Sequence, residues 1–83
     1  MKLVYFASVR ERIGRPEEEL DLPADVATVG DLIGWLKGRG LEYEAALSEP
    51  RAIRVALDHV HARPEAKLAG VREVAVFPPM TGG

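Results

Sequence analysis

One amphipathic helix in the middle of the chain, with strand-like segments before and after it, limits the folds open to this sequence. Val29, Leu32, Ile33 and Leu36 recur at the spacing of a single helix face. At 83 residues, the chain has room for one domain and no second core. We therefore expect an α+β domain in which the apolar side of this helix covers a sheet.

The ends of the central helix carry recognisable signals. Thr28 is a favourable N-cap, and Asp31 in the first turn complements the helix dipole. Gly38 and Gly40 predict a left-handed C-terminal stop. A second short helix is predicted over residues 41–47.

The remaining regular segments have the alternation or β-branched content of strands. Strands are predicted at residues 2–7, 17–22, 52–57 and 74–77, with a short edge strand near Val60. This order predicts a β-grasp (ubiquitin-like) roll, with a mixed sheet of four to five strands and one main helix packed across it. In that fold the first and last strands lie side by side and parallel in the middle of the sheet.

Three local features carry further expectations. Ser8 could cap a short turn, because Glu11 stands in the capping-box position before the breaking sequence at residues 14–16. The acidic run at residues 17–19 is interpreted as the solvated start of a strand. Trp35 lies off the main apolar stripe, so we expect it to pack at the rim of the helix.

Composition excludes several classes of function. The net charge is −2, with 11 basic residues scattered among 13 acidic ones, which argues against nucleic-acid binding. No apolar stretch approaches the roughly 20 residues of a membrane span. The N-terminal segment resembles a strand rather than a signal peptide, so we expect a cytoplasmic protein. The chain has no cysteine, so disulfides cannot support this small domain, and a partner subunit is the expected support.

The chain shows no catalytic set of its own. No nucleophile–base–acid group, phosphate-binding glycine loop or carboxylate pair stands out in the sequence. His59 and His61 would point the same way on a strand, but two imidazoles are too few for a structural zinc site. We expect no bound metal or cofactor, and no enzyme activity in the isolated chain.

The C-terminal residues are the part of the sequence that can do chemistry. Six residues follow the last predicted strand: Pro78, Pro79, Met80, Thr81, Gly82 and Gly83. The proline pair favours an extended polyproline II path, and six extended residues reach on the order of 20 Å. We therefore divide the chain into a β-grasp domain at residues 1–77 and an extended tail at residues 78–83, suited to entering another protein's active site.

A terminal glycine carboxylate can be activated. ATP can convert the carboxylate of Gly83 into an acyl-adenylate, which a sulfur or nitrogen nucleophile can then attack. A side chain at this position would crowd the carbonyl, and Gly82 permits backbone torsions closed to other residues. The absence of cysteine is consistent with this chemistry, since a nearby thiol could attack the activated carbonyl.

The closing sequence from Phe77 to Gly83 resembles that of the molybdopterin synthase small subunits, a family of ubiquitin-like sulfur carriers. The resemblance extends over the chain through the opening segment, residues 2–7 and 9–11, the helix start at Thr28 and the strand at residues 54–56. Family members usually have Val where Met80 stands and Asn where Asp58 stands.

The resemblance implies a mechanism. A ubiquitin-activating-type adenylyltransferase would use ATP to adenylate Gly83, and a persulfide sulfur donor would convert it to a thiocarboxylate. Within a heterotetrameric synthase, the large catalytic subunit would then pass the sulfur to cyclic pyranopterin monophosphate, in molybdenum cofactor biosynthesis. Gly82 would give clearance, and residues 77–81 (Phe77, Pro78, Pro79, Met80 and Thr81) would position the tail in the partner's channel.

Three other functions remain open from the sequence. The same tail could carry sulfur for tRNA thiolation or thiazole synthesis. It could instead be joined to lysines of target proteins, as in a ubiquitin-like modifier. A non-covalent β-grasp adaptor would use no tail chemistry.

Overall fold

The structure is a computed structural model that describes residues 1–79. In chain order the elements are β1 (Lys2–Tyr5), α1 (Ala7–Ile13), β2 (Glu17–Glu19), α2 (Val29–Lys37), α3 (Leu41–Leu47), a 3₁₀ turn (Pro50–Ala52), β3 (Arg54–Leu57), β4 (Val60–Ala62) and β5 (Glu73–Phe77). The main helix, the short helix after it and the edge strand near Val60 are where the sequence predicted them. The strands are shorter than predicted at several ends.

The five strands form one mixed sheet in the order β2-β1-β5-β3-β4. The central pair, β1 and β5, is parallel, with Leu3 opposite Val74 and Tyr5 opposite Val76. All other neighbouring strands are antiparallel. This arrangement confirms the β-grasp prediction, including the parallel contact between the first and last strands.

The N-terminus of α2 confirms the predicted cap. Thr28 Oγ1 accepts a hydrogen bond from the backbone N–H of Asp31 at 3.1 Å, and Asp31 Oδ2 accepts from the N–H groups of Ala27 and Thr28, each at 3.1 Å. These bonds, the one from Ala27 first, lower the pKa of the Asp31 carboxyl. The capping box satisfies free N–H groups at this end and fixes where α2 begins.

The predicted left-handed stop of α2 is wrong. Gly38 has a φ of −80°, in the right-handed region. Its N–H donates to the carbonyl of Trp35 at 3.1 Å, and Arg39 N–H donates to the carbonyl of Leu36 at 3.0 Å. The last turn therefore tightens into 3₁₀ geometry, which satisfies these carbonyls without a left-handed residue.

The predicted cap at Ser8 is also wrong. Phe6 is the N-cap of α1, and no side chain caps this helix. The Phe6 N–H donates to the carbonyl of Val76 at 3.1 Å, which extends the β1–β5 pairing by one residue. Since this bond holds Phe6 extended, the helix begins at Ala7, which has a φ of +51°.

The core lies between the sheet and the three helices. Leu3, Leu32, Leu36, Leu47 and Val74 are fully buried there. Burial of each such side chain contributes roughly 1.5–3 kcal/mol to stability. Trp35 is partly buried at the rim of this core, as the sequence predicted. The guanidinium carbon of Arg39 lies 5.5 Å from the centre of the Trp35 ring.

Two glycines form a matched pair for testing the backbone. Gly14 ends α1 with a φ of +89°, whereas Gly34 is exposed inside α2, and a Cβ at either position would meet no atom within 4 Å. We expect Gly14→Ala to lower the free energy of unfolding by about 1 kcal/mol, because alanine disfavours the left-handed region. We expect Gly34→Ala to raise it by roughly 0.5–1 kcal/mol, because alanine favours the helix. Urea unfolding followed by circular dichroism measures both, and changes of the same sign would contradict these assignments.

Candidate functional site

The two faces of the sheet differ in what they contact. Alternation along the central strands points one set of side chains into the core, and points Val4, Ala56, Ala75 and Phe77 to the opposite side. Phe6 continues the β1 alternation on this side and is 47% exposed. We call this surface, together with His61 of β4, the open sheet face.

Phe77 is the predicted tail residue that the structure places most clearly. It ends β5, is partly buried, and lies opposite Arg54 of β3. The ring of His61 stands edge-on to the Phe77 ring, with centroids 5.5 Å apart and planes at 87°. The last strand therefore ends in an aromatic contact on the open sheet face.

The tail begins in the middle of the sheet. Because β5 lies between β1 and β3, its end is next to Phe6 on one side and Arg54 on the other. Pro78 and Pro79 are partly buried and have no regular secondary structure.

The remaining predicted tail residues are Met80, Thr81, Gly82 and Gly83, and they lie outside the described residues. The division between domain and tail, and the role of each tail residue, therefore stay predictions.

The acidic run in β2 was predicted to be a solvated strand start, and this is confirmed for Glu17 and Glu19 but wrong for Glu18. The side chain of Glu18 is only 5% exposed. It accepts hydrogen bonds from Tyr43 Oη at 2.6 Å and Tyr5 Oη at 2.7 Å, and pairs with Arg39 Nη1 at 3.1 Å and Arg15 Nη1 at 2.9 Å. This Glu18 cluster joins β1 and β2 to α3 and to the chain between α2 and α3.

Opposing effects set the protonation of the Glu18 cluster. Burial alone would raise the pKa of Glu18, but hydrogen bonds from Tyr43, Tyr5 and Arg39 outweigh it, so the pKa is lowered. Burial, followed by the hydrogen bond to the Glu18 carboxylate, raises the pKa of Tyr5 and of Tyr43. Glu18 is therefore a buried anion with neutral phenol donors.

The alternation of β2 contained the signal for this cluster. Glu18 has the same parity as Leu20 and Leu22, the side chains assigned to the inner face, whereas Glu17 and Glu19 have the opposite parity. The register confirms it, since Glu18 lies opposite the buried Leu3. Parity does not identify the hydrogen-bond partners of Glu18, because these residues come from distant parts of the chain.

The histidine prediction is wrong in its geometry. His59 lies in the two-residue turn between β3 and β4 with a φ of +72°, next to Asp58 at +48°, so it does not share a strand face with His61. Such φ values are those of a type I′ hairpin turn. His59 Nε2 lies 3.7 Å from Glu73 Oε2. Within residues 1–79, no three His, Cys, Asp or Glu side chains are grouped closely enough to hold a metal ion.

None of the helices in the described part of the chain has the length and apolar character needed to cross a membrane.

The fold and the position of the tail define the class of this protein. A five-stranded sheet with a parallel central pair, a helix across it and a C-terminal segment leaving from its middle is a ubiquitin-like β-grasp. The chain belongs to the ThiS family, which it matches over residues 3–83.

Individual relatives agree with this assignment. The molybdopterin synthase sulfur carrier subunit of Dictyostelium discoideum is 32% identical over 82 residues, covering 99% of this chain and 94% of that protein. The structure of molybdopterin converting factor, subunit 1, from Pyrococcus furiosus has a TM-score of 0.73 at 30% identity, with 95% of both chains covered. Small archaeal modifier protein 1 of Haloferax volcanii has a TM-score of 0.75 at 27% identity, covering 96% of this chain and 97% of that one. The resemblance to molybdopterin synthase small subunits is confirmed.

The Glu18 cluster gives a prediction about stability. We expect Glu18→Gln to lower the free energy of unfolding by about 2 kcal/mol at neutral pH, because it removes the charge from several short hydrogen bonds. Since the pKa of Glu18 is lowered in the folded state, its contribution is present above the unfolded pKa and is lost as pH falls through the folded pKa. Urea unfolding between neutral and acid pH should show this loss in the parent chain and not in the variant.

Glu17→Gln is the matched control for Glu18→Gln. Glu17 is exposed, and its ion pair with Lys2 at 3.4 Å is screened by water. We expect a change of no more than about 0.5 kcal/mol. Equal effects of the two substitutions would show that the Glu18 cluster contributes no more to stability than the exposed Glu17 ion pair.

Proposed function

We propose that this chain is the sulfur carrier of a molybdopterin synthase and carries sulfur as a thiocarboxylate on Gly83. The observation that carries the proposal is the end-to-end match to the D. discoideum sulfur carrier subunit, which covers 99% of this chain. The position of β5 supports it, since the tail starts from the rigid centre of the sheet. In this proposal the chain does no catalysis alone and works in the cytoplasm as a subunit of a heterotetrameric complex.

Activation would take place in a partner. In the active site of a ubiquitin-activating-type adenylyltransferase, a Gly83 carboxylate oxygen attacks the α-phosphorus of ATP and pyrophosphate leaves. The terminal sulfur of a persulfide donor then attacks the acyl carbon and displaces AMP, which gives an acyl disulfide. A thiol attacks the donor's sulfur in this disulfide and breaks the S–S bond, so that the thiocarboxylate stays on Gly83 and the donor forms a disulfide with the thiol. The chain itself holds no cofactor, and its contribution is an accessible carboxylate with Gly82 providing clearance.

Transfer would follow in the large catalytic subunit. The tail enters that subunit's active site, and the thiocarboxylate gives its sulfur to cyclic pyranopterin monophosphate. Residues 77–81 align the tail in the channel, and their proline pair limits the conformational entropy lost on entry.

The open sheet face is the surface we assign to the large subunit. Val4, Phe6, Ala56, Ala75 and Phe77 make it apolar beside the root of the tail. Among them Phe6 is exposed, at 47%, whereas Ala56 and Ala75 are 7% and 9% exposed. Exposed aromatic side chains of this kind are enriched in protein interfaces. A partner docked there would bury Phe6 and hold the tail in one direction.

A second function is favoured by one observation. The similarity to small archaeal modifier protein 1 supports an alternative in which Gly83 is joined to lysine amines of other proteins. Both functions begin with the same adenylate, and they differ in the nucleophile that attacks it.

Mass spectrometry of the tail tests the carrier function. After incubation with its adenylyltransferase, ATP and a persulfide donor, the chain should gain about 16 Da at the C-terminal residue, because sulfur replaces oxygen. Deletion of Gly83 should abolish the gain and leave the unfolding transition unchanged. Lysine-linked adducts in place of the thiocarboxylate would favour the modifier, and no change in mass with an active adenylyltransferase would refute both.

Binding to the large subunit tests the open sheet face. We expect Phe6→Ala to weaken the affinity by roughly tenfold or more, because it removes a large exposed aromatic side chain from the centre of the interface. Leu41→Ala is the matched control, since Leu41 is 83% exposed on α3, away from the sheet. Isothermal titration calorimetry measures both, and an equal loss for the two variants would place the interface elsewhere.

A further inference from the structure

Two arginines stand at the tail end of the open sheet face. Arg54 alternates along β3 with the core residue Val55, so its side chain lies on the same side of the sheet as Phe77, its partner in β5. The β3–β4 register places Ala62 opposite Val55. Arg63, the next residue, therefore lies opposite Arg54 with its side chain on the same side. We call Arg54 and Arg63 the arginine pair.

The charge of the arginine pair has no acidic partner among residues 1–79. Both side chains are exposed, and neither forms an ion pair within that range. Arg54 Nη1 donates to the carbonyls of Arg51 at 3.1 Å and Ile53 at 3.0 Å, which are uncharged acceptors. Glu65 follows Arg63 by two residues, yet its carboxylate is not within ion-pair distance of either guanidinium. Like charges directly opposite each other on neighbouring strands destabilise a sheet, so an anionic partner would stabilise this end of it.

The acidic residues of the open sheet face lie at its other end. Glu73 is near Lys2 and His59, with N–O distances of 3.9 and 3.7 Å, and Glu17 pairs with Lys2 at 3.4 Å. Glu73 is four residues from Phe77 along β5, which is roughly 13 Å at strand spacing. This distance exceeds the screening length of about 8 Å at physiological salt. The acidic end therefore does not cancel the positive charge beside the tail.

We infer that the large subunit presents carboxylates to the arginine pair when it docks on the open sheet face. The inference rests on the proposed function and adds the chemistry by which that subunit recognises this chain. The exposed Phe6 and the ring of Phe77 supply the apolar part of the contact, and the arginine pair supplies charge on its β3–β4 side. A guanidinium can bind a carboxylate through two parallel hydrogen bonds, which makes the contact directional. Such contacts beside the root of the tail would orient the chain on its partner.

Other occupants of the open sheet face fit the arginine pair less well. A wholly apolar partner surface would cover two guanidinium groups without counter-charges, which is unfavourable. A nucleic acid would supply phosphates, but the net charge of the chain is −2. A second copy of this chain would bring either its own arginine pair or acidic residues that already have partners. A protein surface with free carboxylates matches both the charge and the neighbouring aromatic side chains.

The affinity of the full chain for the large subunit tests the inference. The double substitution Arg54→Glu and Arg63→Glu should weaken binding by roughly tenfold or more, because carboxylates would then face carboxylates. Added salt should weaken binding of the parent chain and have less effect on this variant. The double substitution to glutamine, which removes the charge without reversing it, should weaken binding by roughly threefold or more. Isothermal titration calorimetry measures the affinities, and urea unfolding checks that each variant folds.

The double substitution Arg12→Glu and Arg72→Glu is the matched control. Arg12 donates to the carbonyl of Ala45 in α3, on the side covered by the helices, and the exposed Arg72 precedes β5 at the end away from the tail. The control has the same net charge as the reversed arginine pair. It should change the affinity by less than about threefold, since distant charges act only through the long-range field.

A zero-length crosslink tests the identity of the opposing groups. The double substitution Arg54→Lys and Arg63→Lys keeps the charge and provides primary amines. A carbodiimide joins such an amine to a carboxylate that is in contact with it, with loss of one water. In the complex with the large subunit, peptide mass spectrometry should find these positions joined to aspartate or glutamate of that subunit. The double substitution Arg12→Lys and Arg72→Lys should give no such crosslink.

Equal effects of the reversed arginine pair and the control, or an affinity that does not respond to salt, would overturn the inference. Crosslinks from the introduced amines only to Gly83 or to a second copy of this chain would also overturn it, because the charge would then serve the chain itself. These results would leave the mass gain at Gly83 and the effect of Phe6→Ala unchanged. Failure of this inference and failure of the proposed function are therefore distinguishable.

Discussion

The parallel pairing of β1 with β5 is the contact on which the rest of this structure depends. It buries Leu3, Tyr5, Val74 and Val76 in the centre of the sheet and joins residues from the two ends of the chain. Parallel pairing requires a long crossover, and the intervening chain supplies it together with α2, whose apolar side covers the same strands. The pairing also directs the chain after β5 out of the middle of the sheet, beside Phe6. The chain after β5 therefore starts from the centre of the sheet.

The two sides of this sheet make different contacts. On the helix side, the buried carboxylate of Glu18 connects Tyr5, Tyr43 and Arg39, so one acidic side chain links the edge of the sheet to the end of the helical layer. Breaking such a buried cluster is costly because its members would remain buried without partners. The opposite side has small residues in the centre and aromatic ones toward the tail. The helices cover only the first of these two sides.

In the proposed function, the open sheet face and the tail are used by several partners in turn. A carrier must be recognised by the protein that activates it and by the protein that consumes its sulfur, although both require the same tail. The open sheet face borders the root of the tail through Phe6 and Phe77, so a partner docked there lies beside the start of the tail. Contacts to the sheet face and contacts to the tail can change independently, since residues without shared contacts contribute almost additively.

Local patterns were sufficient for much of this protein. Apolar spacing at residues 29–36 predicted α2, the Thr28 cap predicted its start, and the strand order predicted the β-grasp. The tail chemistry stays a prediction from the sequence, because it depends only on a terminal glycine and the chain before it. Tertiary structure decided what depends on distant partners: the pairing of Phe6 with Val76 moved the start of α1, and Tyr43 and Arg39 made Glu18 a buried anion. The physical reason for this difference is the sequence distance over which each interaction acts. Helix caps and apolar periodicity depend on a few neighbouring residues, whereas burial and charge pairing depend on segments that are far apart in the chain.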